Sequence, residues 1–127
     1  MGYTNYWTQP TDFTDNEWSK VKMEADYIRS WSELPQIKKY CEVEIHKDEI
    51  IIYGACETMN LKRHARTVKR YPDEDLTFNF CKTREEVYDL AVWHLLVACA
   101  FIKPDFKISR DNHNFTEVEE VKEVVNG

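Results

Sequence analysis

Long hydrophobic runs are missing from this chain. No stretch approaches the ~20 apolar residues that a membrane span needs, and the first ten residues, MGYTNYWTQP, lack a basic region followed by an apolar one. A soluble, unexported protein with no membrane contact is expected. Gly2 follows Met1, but the sixth residue is Tyr6 where a myristoylation signal wants Ser or Thr. Glycine and proline are scarce as well, at three and four, while 43% of residues are hydrophobic and 13% aromatic. That balance excludes a disordered or low-complexity chain, and 127 residues fit one domain spanning 1–127. The four cysteines, at 41, 56, 81 and 99, form no CxxC pair. Reduced thiols in a cytoplasm are the natural reading, with neither a disulfide framework nor a metal site. No glycine-rich loop is present to cradle a nucleotide, so no cofactor is expected.

Positive charge is in deficit: the net charge is −6, which disfavours wholesale attraction to nucleic acid or to an anionic membrane. Its distribution is uneven. Residues 62–70, KRHARTVKR, hold five of the 17 basic residues and no acid; the other twelve, against 23 acids, give the rest of the chain −11. Lys62, Arg63, Arg66, Lys69 and Arg70 therefore form one basic segment on an acidic body. Flanked by Tyr71, it suggests phosphate contacts and stacking. A plainer reading is a solvated strand edge whose charges block sheet-to-sheet aggregation. Either way the segment offers a surface to an acidic protein partner.

What the chain does contain is organised around residues 76–111. Leu76, Phe78 and Phe80 alternate with Thr77 and Asn79, which predicts a strand burying the first set. Thr83 with Glu86 three positions on has the form of a capping box, so a long buried helix is predicted over about 84–102. Pro104 ends it, and Phe106 and Ile108 mark a further strand, which a right-handed crossover through the helix allows to lie parallel to and beside the strand at 76–80. Earlier, Thr14 and Glu17 form another capping box, with Phe13 and Trp18 as a hydrophobic staple, for a helix over about 15–31. Its apolar face is Trp18, Val21, Ala25 and Ile28. Residues 41–53 read as a hairpin turning near Lys47 and Asp48, with Val43 and Ile45 facing either Ile50 and Ile52 or Ile51 and Tyr53. A third strand follows Gly54, residues 3–12 make a short strand or an aromatic arm, and Thr116 to Glu119 open a last helix. The predicted fold is α+β: a mostly antiparallel sheet of four to five strands with one long helix and shorter helices near both ends.

Chemistry is concentrated where the strand at 76–80 meets the helix. A helix N-terminus beside Lys82, Thr83 and Arg84 suits a phosphate or carboxylate. Thr83 acting merely as a cap, with Glu85 and Glu86 answering the same positive end, accounts for these residues equally simply. Tyr88 and Asp89 lie on the first turns, and an acid at the margin of an apolar run must face water or find a partner such as Lys or Arg; Arg110 and Asp111 come near it if the last strand lies beside the strand at 76–80. Asp111 closes the group from the last strand. Cys81 as a nucleophile would need a positioned base, and His46, His64, His94 and His113 follow no catalytic pattern.

Cys81, Lys82, Thr83, Tyr88 and Asp89, followed by Ser109 and Asp111, resemble the CKTARKPYD and SSDG blocks of a group of small uncharacterised proteins of bacteriophages and some microbes. Glu57 and Thr58 are similar to the group's HETF segment. Arg84, Glu85, Glu86 and Val87 stand in place of Ala-Arg-Lys-Pro, Ala100 and Phe101 in place of paired histidines, and Asn112 in place of the final glycine. Loss of the histidines and cations leans away from an enzyme. The resemblance implies a phage-type protein in its host's cytoplasm that binds a host or viral protein as an accessory factor or inhibitor, through 62–70 or the aromatic arm. The alternative is a small-ligand or nucleotide-binding protein built on Lys82, Thr83, Arg84, Tyr88, Asp89 and Asp111.

Overall fold

Thr14 starts the first helix as its sequence predicts. Its hydroxyl accepts from the Glu17 amide and the Glu17 carboxylate accepts from the Thr14 amide, while Phe13 lies against Trp18 with ring centroids 5.6 Å apart. The computed structural model describes residues 4–31, 42–84 and 88–111. In order these are β1 (Thr4–Thr8), α1 (Asp15–Ser30), β2 (Glu42–Ile45), β3 (Glu49–Tyr53), β4 (Met59–Lys62), β5 (Phe78–Lys82), α2 (Asp89–Ile102) and β6 (Lys107–Arg110). The helix predicted after Thr116 lies outside the described residues.

The class is α+β, but among the described residues the expected sheet of four to five strands is replaced by two antiparallel sheets of three, ordered β5-β1-β6 and β2-β3-β4. β1 is the reason. The aromatic N-terminal strand sits in the centre of its sheet, pairing Tyr6 with Phe80 on one side and with Ser109 on the other. It therefore separates β5 from β6, and the parallel pairing that a crossover allows does not form. In the second sheet Val43 pairs with Ile52 and Ile45 with Ile50, which resolves the hairpin register.

The long helix is also shorter than predicted. Arg84 adopts a left-handed φ of 57°, which cannot continue a right-handed helix, and α2 begins only at Asp89 with no side-chain cap from Tyr88. Thr83 is consequently not a helix cap. From Asp89 onward the apolar run behaves as expected: Ala91, Val92, Leu95, Leu96, Val97, Cys99 and Ala100 are buried, each large side chain contributing about 1.5–3 kcal/mol of transfer free energy. α1 packs on α2, with His94 ringed by Tyr27 and Trp31 at 5.9 and 5.2 Å and its Nε2 3.3 Å from Glu24.

β5 reverses the predicted faces. Phe78 and Phe80 are exposed, and Cys81 is buried. Alternation alone leaves the choice of face open; it is made by β1, whose inward residues Asn5 and Trp7 are paired with Cys81 and Asn79.

Gly54 fits the fold by having no side chain, since a methyl group there would fall inside van der Waals contact of the buried Tyr88 ring. Gly54→Ala is expected to lower stability by about 1–3 kcal/mol, as overpacking does. Urea denaturation should show a lower midpoint at unchanged slope.

Candidate functional site

Asp89 occupies the first turn of α2, at the positive end of the helix dipole, and is only 7% exposed. Its Oδ1 accepts from Asn5 Nδ2 at 2.7 Å and from the Thr83 hydroxyl at 2.6 Å, and its Oδ2 pairs with the Arg110 guanidinium. Arg110 in turn lies over the Trp93 ring, 4.5 Å from the centroid. Each donor comes from a different strand or strand end. Asn5 Oδ1 is buried without a partner among the described residues.

This arrangement divides the residues that sequence groups together. Thr83 and Asp89 meet. Tyr88 is buried beside them, its hydroxyl donating to the carbonyls of Glu57 at 2.8 Å and Lys82 at 3.3 Å. Lys82 belongs by strand alternation to the opposite face of the sheet from Cys81, and Arg84 is exposed. Asp111 accepts from the Tyr6 hydroxyl and the Thr4 amide, both at 3.0 Å. The anion pocket expected at Lys82, Thr83 and Arg84 is answered from within: the helix N-terminus lies at Asp89, whose own carboxylate sits at its positive end and accepts from the Thr83 hydroxyl. Cys81 is a poor nucleophile, because burial and then the Glu57 charge push its thiol up to about 12. Asn5 escaped sequence reasoning, although it shares the inward phase of Trp7 two residues on.

The basic segment begins at Lys62, the last residue of β4, and continues as a loop, and much of it is consumed internally. Arg63 pairs with Asp15 and donates to the Phe13 carbonyl at 3.2 Å. Arg66 donates to Glu74 at 2.8 Å and to the carbonyls of Leu76, Asp75 and Phe78 at 3.3, 3.2 and 3.0 Å. Glu74 accepts also from the Arg70 amide, and that bond, then Arg66, lowers its carboxyl from 4.5 to about 2. Lys69 reaches the Pro72 carbonyl at 3.3 Å. Lys62 and Arg70 keep 58% and 72% of their side chains exposed while lying 3.5 Å from Glu49 and 3.3 Å from Glu74.

These two cations border a cleft of about 870 Å³ between β4 and β5. Asn60 and Lys62 of β4, Phe78, Asn79 and Phe80 of β5, and His64, Arg66 and Arg70 of the intervening chain all line it, with Trp7 and Gln9 also contributing. The exposed rings continue from the cleft onto the outer sheet face, where Phe78 lies 6.2 Å from Phe80 and 5.8 Å from Tyr6. Among the described residues no three His, Cys, Asp or Glu side chains are grouped to hold a metal, and no helix is long and apolar enough to cross a membrane.

Asp89→Ala should cost about 3–5 kcal/mol by breaking a buried ion pair, measured by chemical denaturation. Glu74 carries the opposite kind of test, because its folded carboxyl is depressed. Its contribution is present above about 4.5 and fades as pH falls through about 2. The thermal midpoint of Glu74→Gln should therefore fall less than that of the native protein across that interval. No protein-family model, curated protein or solved structure matches this chain.

Proposed function

We propose that this protein acts by binding another protein at the cleft between β4 and β5. The observation that carries this reading is the exposure of Phe78 and Phe80, 41% and 57%, in a cleft that Lys62 and Arg70 also line. Large aromatic rings beside accessible cations are what protein interfaces concentrate at their anchors. The buried polar groups support the same conclusion from the other side. Asp89, Thr83 and Tyr88 spend their hydrogen bonds on holding α2 to the sheet, which leaves the small-ligand alternative only Lys82, Arg84 and Asp111 as accessible groups, and Asp111 already accepts from Thr4 and Tyr6. Likeness to the phage and microbial group supports a host or viral protein as the partner and an accessory or inhibitory role.

The test is partner capture from lysate of the host with native protein, with Phe78→Ser/Phe80→Ser, and with Lys62→Glu/Arg70→Glu. A specific partner should be retained by the native chain and lost from both variants, at thermal midpoints near the native value. A partner held equally by all three proteins would overturn the assignment of the surface.

A further inference from the structure

The main chain bordering the cleft narrows what kind of partner segment fits. In an antiparallel ladder, residues alternate between exchanging hydrogen bonds with the neighbouring strand and turning them outward. The Gln9 amide donates to the Thr77 carbonyl at 2.8 Å, so Thr77, Asn79 and Cys81 turn toward β1, and Phe78, Phe80 and Lys82 turn away from it. Two of these outward positions are already sealed. The Phe78 carbonyl accepts from Arg66 and its amide donates to the Asp75 carbonyl at 3.3 Å. The Lys82 amide donates to Glu57 Oε1 at 2.7 Å, and its carbonyl accepts from the Glu57 amide at 3.0 Å. Between them Phe80 directs an amide and a carbonyl outward, with no partner among the described residues.

The β4 strand repeats the pattern. The Arg63 amide donates to the Asp48 carbonyl at 2.9 Å, which turns the main chain of Asn60 and Lys62 away from β3. The Lys62 carbonyl is taken by Gln9 Nε2 at 2.9 Å, and Asn60 lines the same cleft as Phe80.

Resting on the reading that the cleft binds protein, we infer that it takes a short extended acidic segment of the partner, which adds to β5 by exchanging both main-chain hydrogen bonds with Phe80. Such strand addition draws its affinity from the main chain and its specificity from alternate side chains. An apolar side chain of the segment packs on the Phe78 and Phe80 rings, and its carboxylates face Lys62 and Arg70. Charge argues for a peptide over single-stranded nucleic acid: Glu49 and Glu57 also line the cleft, and the whole chain carries −6, so a run of phosphates meets repulsion that a few carboxylates spaced along a strand avoid.

The probe is a fluorescein-labelled peptide of alternating Glu and Val with a central Phe, titrated at low salt by anisotropy. Its companions are the same peptide N-methylated at alternate residues, a Lys-for-Glu version, and oligothymidylate. The acidic peptide should bind, slow amide exchange at Phe80, and lose about tenfold in affinity on N-methylation, which removes the donor to the Phe80 carbonyl and sets a methyl group against the strand. The Lys version should not bind, and Lys62→Glu/Arg70→Glu should abolish binding of the acidic one. Equal affinity of the N-methylated peptide, no binding of the acidic peptide, or tighter binding of oligothymidylate would each overturn the inference. Where the acidic peptide fails but partner capture still depends on Phe78 and Phe80, strand addition alone is wrong and the protein-binding reading stands. Where capture is indifferent to those rings as well, both fall.

Discussion

One buried carboxylate ties the first sheet to its helix. Asp89 receives Asn5 from β1, Thr83 from the end of β5 and Arg110 from β6, so the three strands that build the sheet converge on the first turn of α2. A carboxylate this buried is costly unless its oxygens are answered by donors, and here both oxygens are. The arrangement holds only if β1 lies between β5 and β6, because the two outer strands alone would leave out the amide that Asn5 supplies. Sheet order and polar cluster are thus one constraint seen at two scales. The positive end of α2 adds to it, since the helix begins where the charge sits.

Tyr88, next along the chain, joins the same helix start to the second sheet. Its hydroxyl donates to Glu57, which precedes β4 and whose amide is bonded to Lys82 of β5. Gly54 makes the room for its ring. Asp89 therefore organises one sheet and Tyr88 links it to the other, through adjacent residues with unrelated chemistry.

Local signals were legible in the sequence where local physics decides them. The Thr14 to Glu17 capping box and the Phe13 to Trp18 staple are built from neighbours, and both appear as read. The same signature at Thr83 misled, because the pattern T-x-x-E cannot report that Arg84 turns left-handed or that a carboxylate six residues on claims the hydroxyl. The strand at Phe78–Lys82 was equally legible as a strand and illegible as to its face. Leu76, Phe78 and Phe80 have the alternation of a buried set, yet inward facing is settled by pairing with Asn5 and Trp7, more than 70 residues away. Asp89 is legible as an acid in need of a partner at the margin of an apolar run, whereas Asn5, which answers it from β1, carries only its phase with Trp7. The basic segment is visible as a run of charge, but its internal partners, Glu74, Asp15 and five main-chain carbonyls, lie outside the run.

The sealed positions on β5 have a meaning for the protein in crowded solution. A strand that shows phenylalanine rings to water and leaves its whole edge open is a template on which further copies stack into fibrils. Here Arg66 and Glu57 occupy the main chain at Phe78 and Lys82, and the opening between them is one residue long. That gap is too short to seed a growing ladder. The protein can thus keep a sticky aromatic surface on display without polymerising through it.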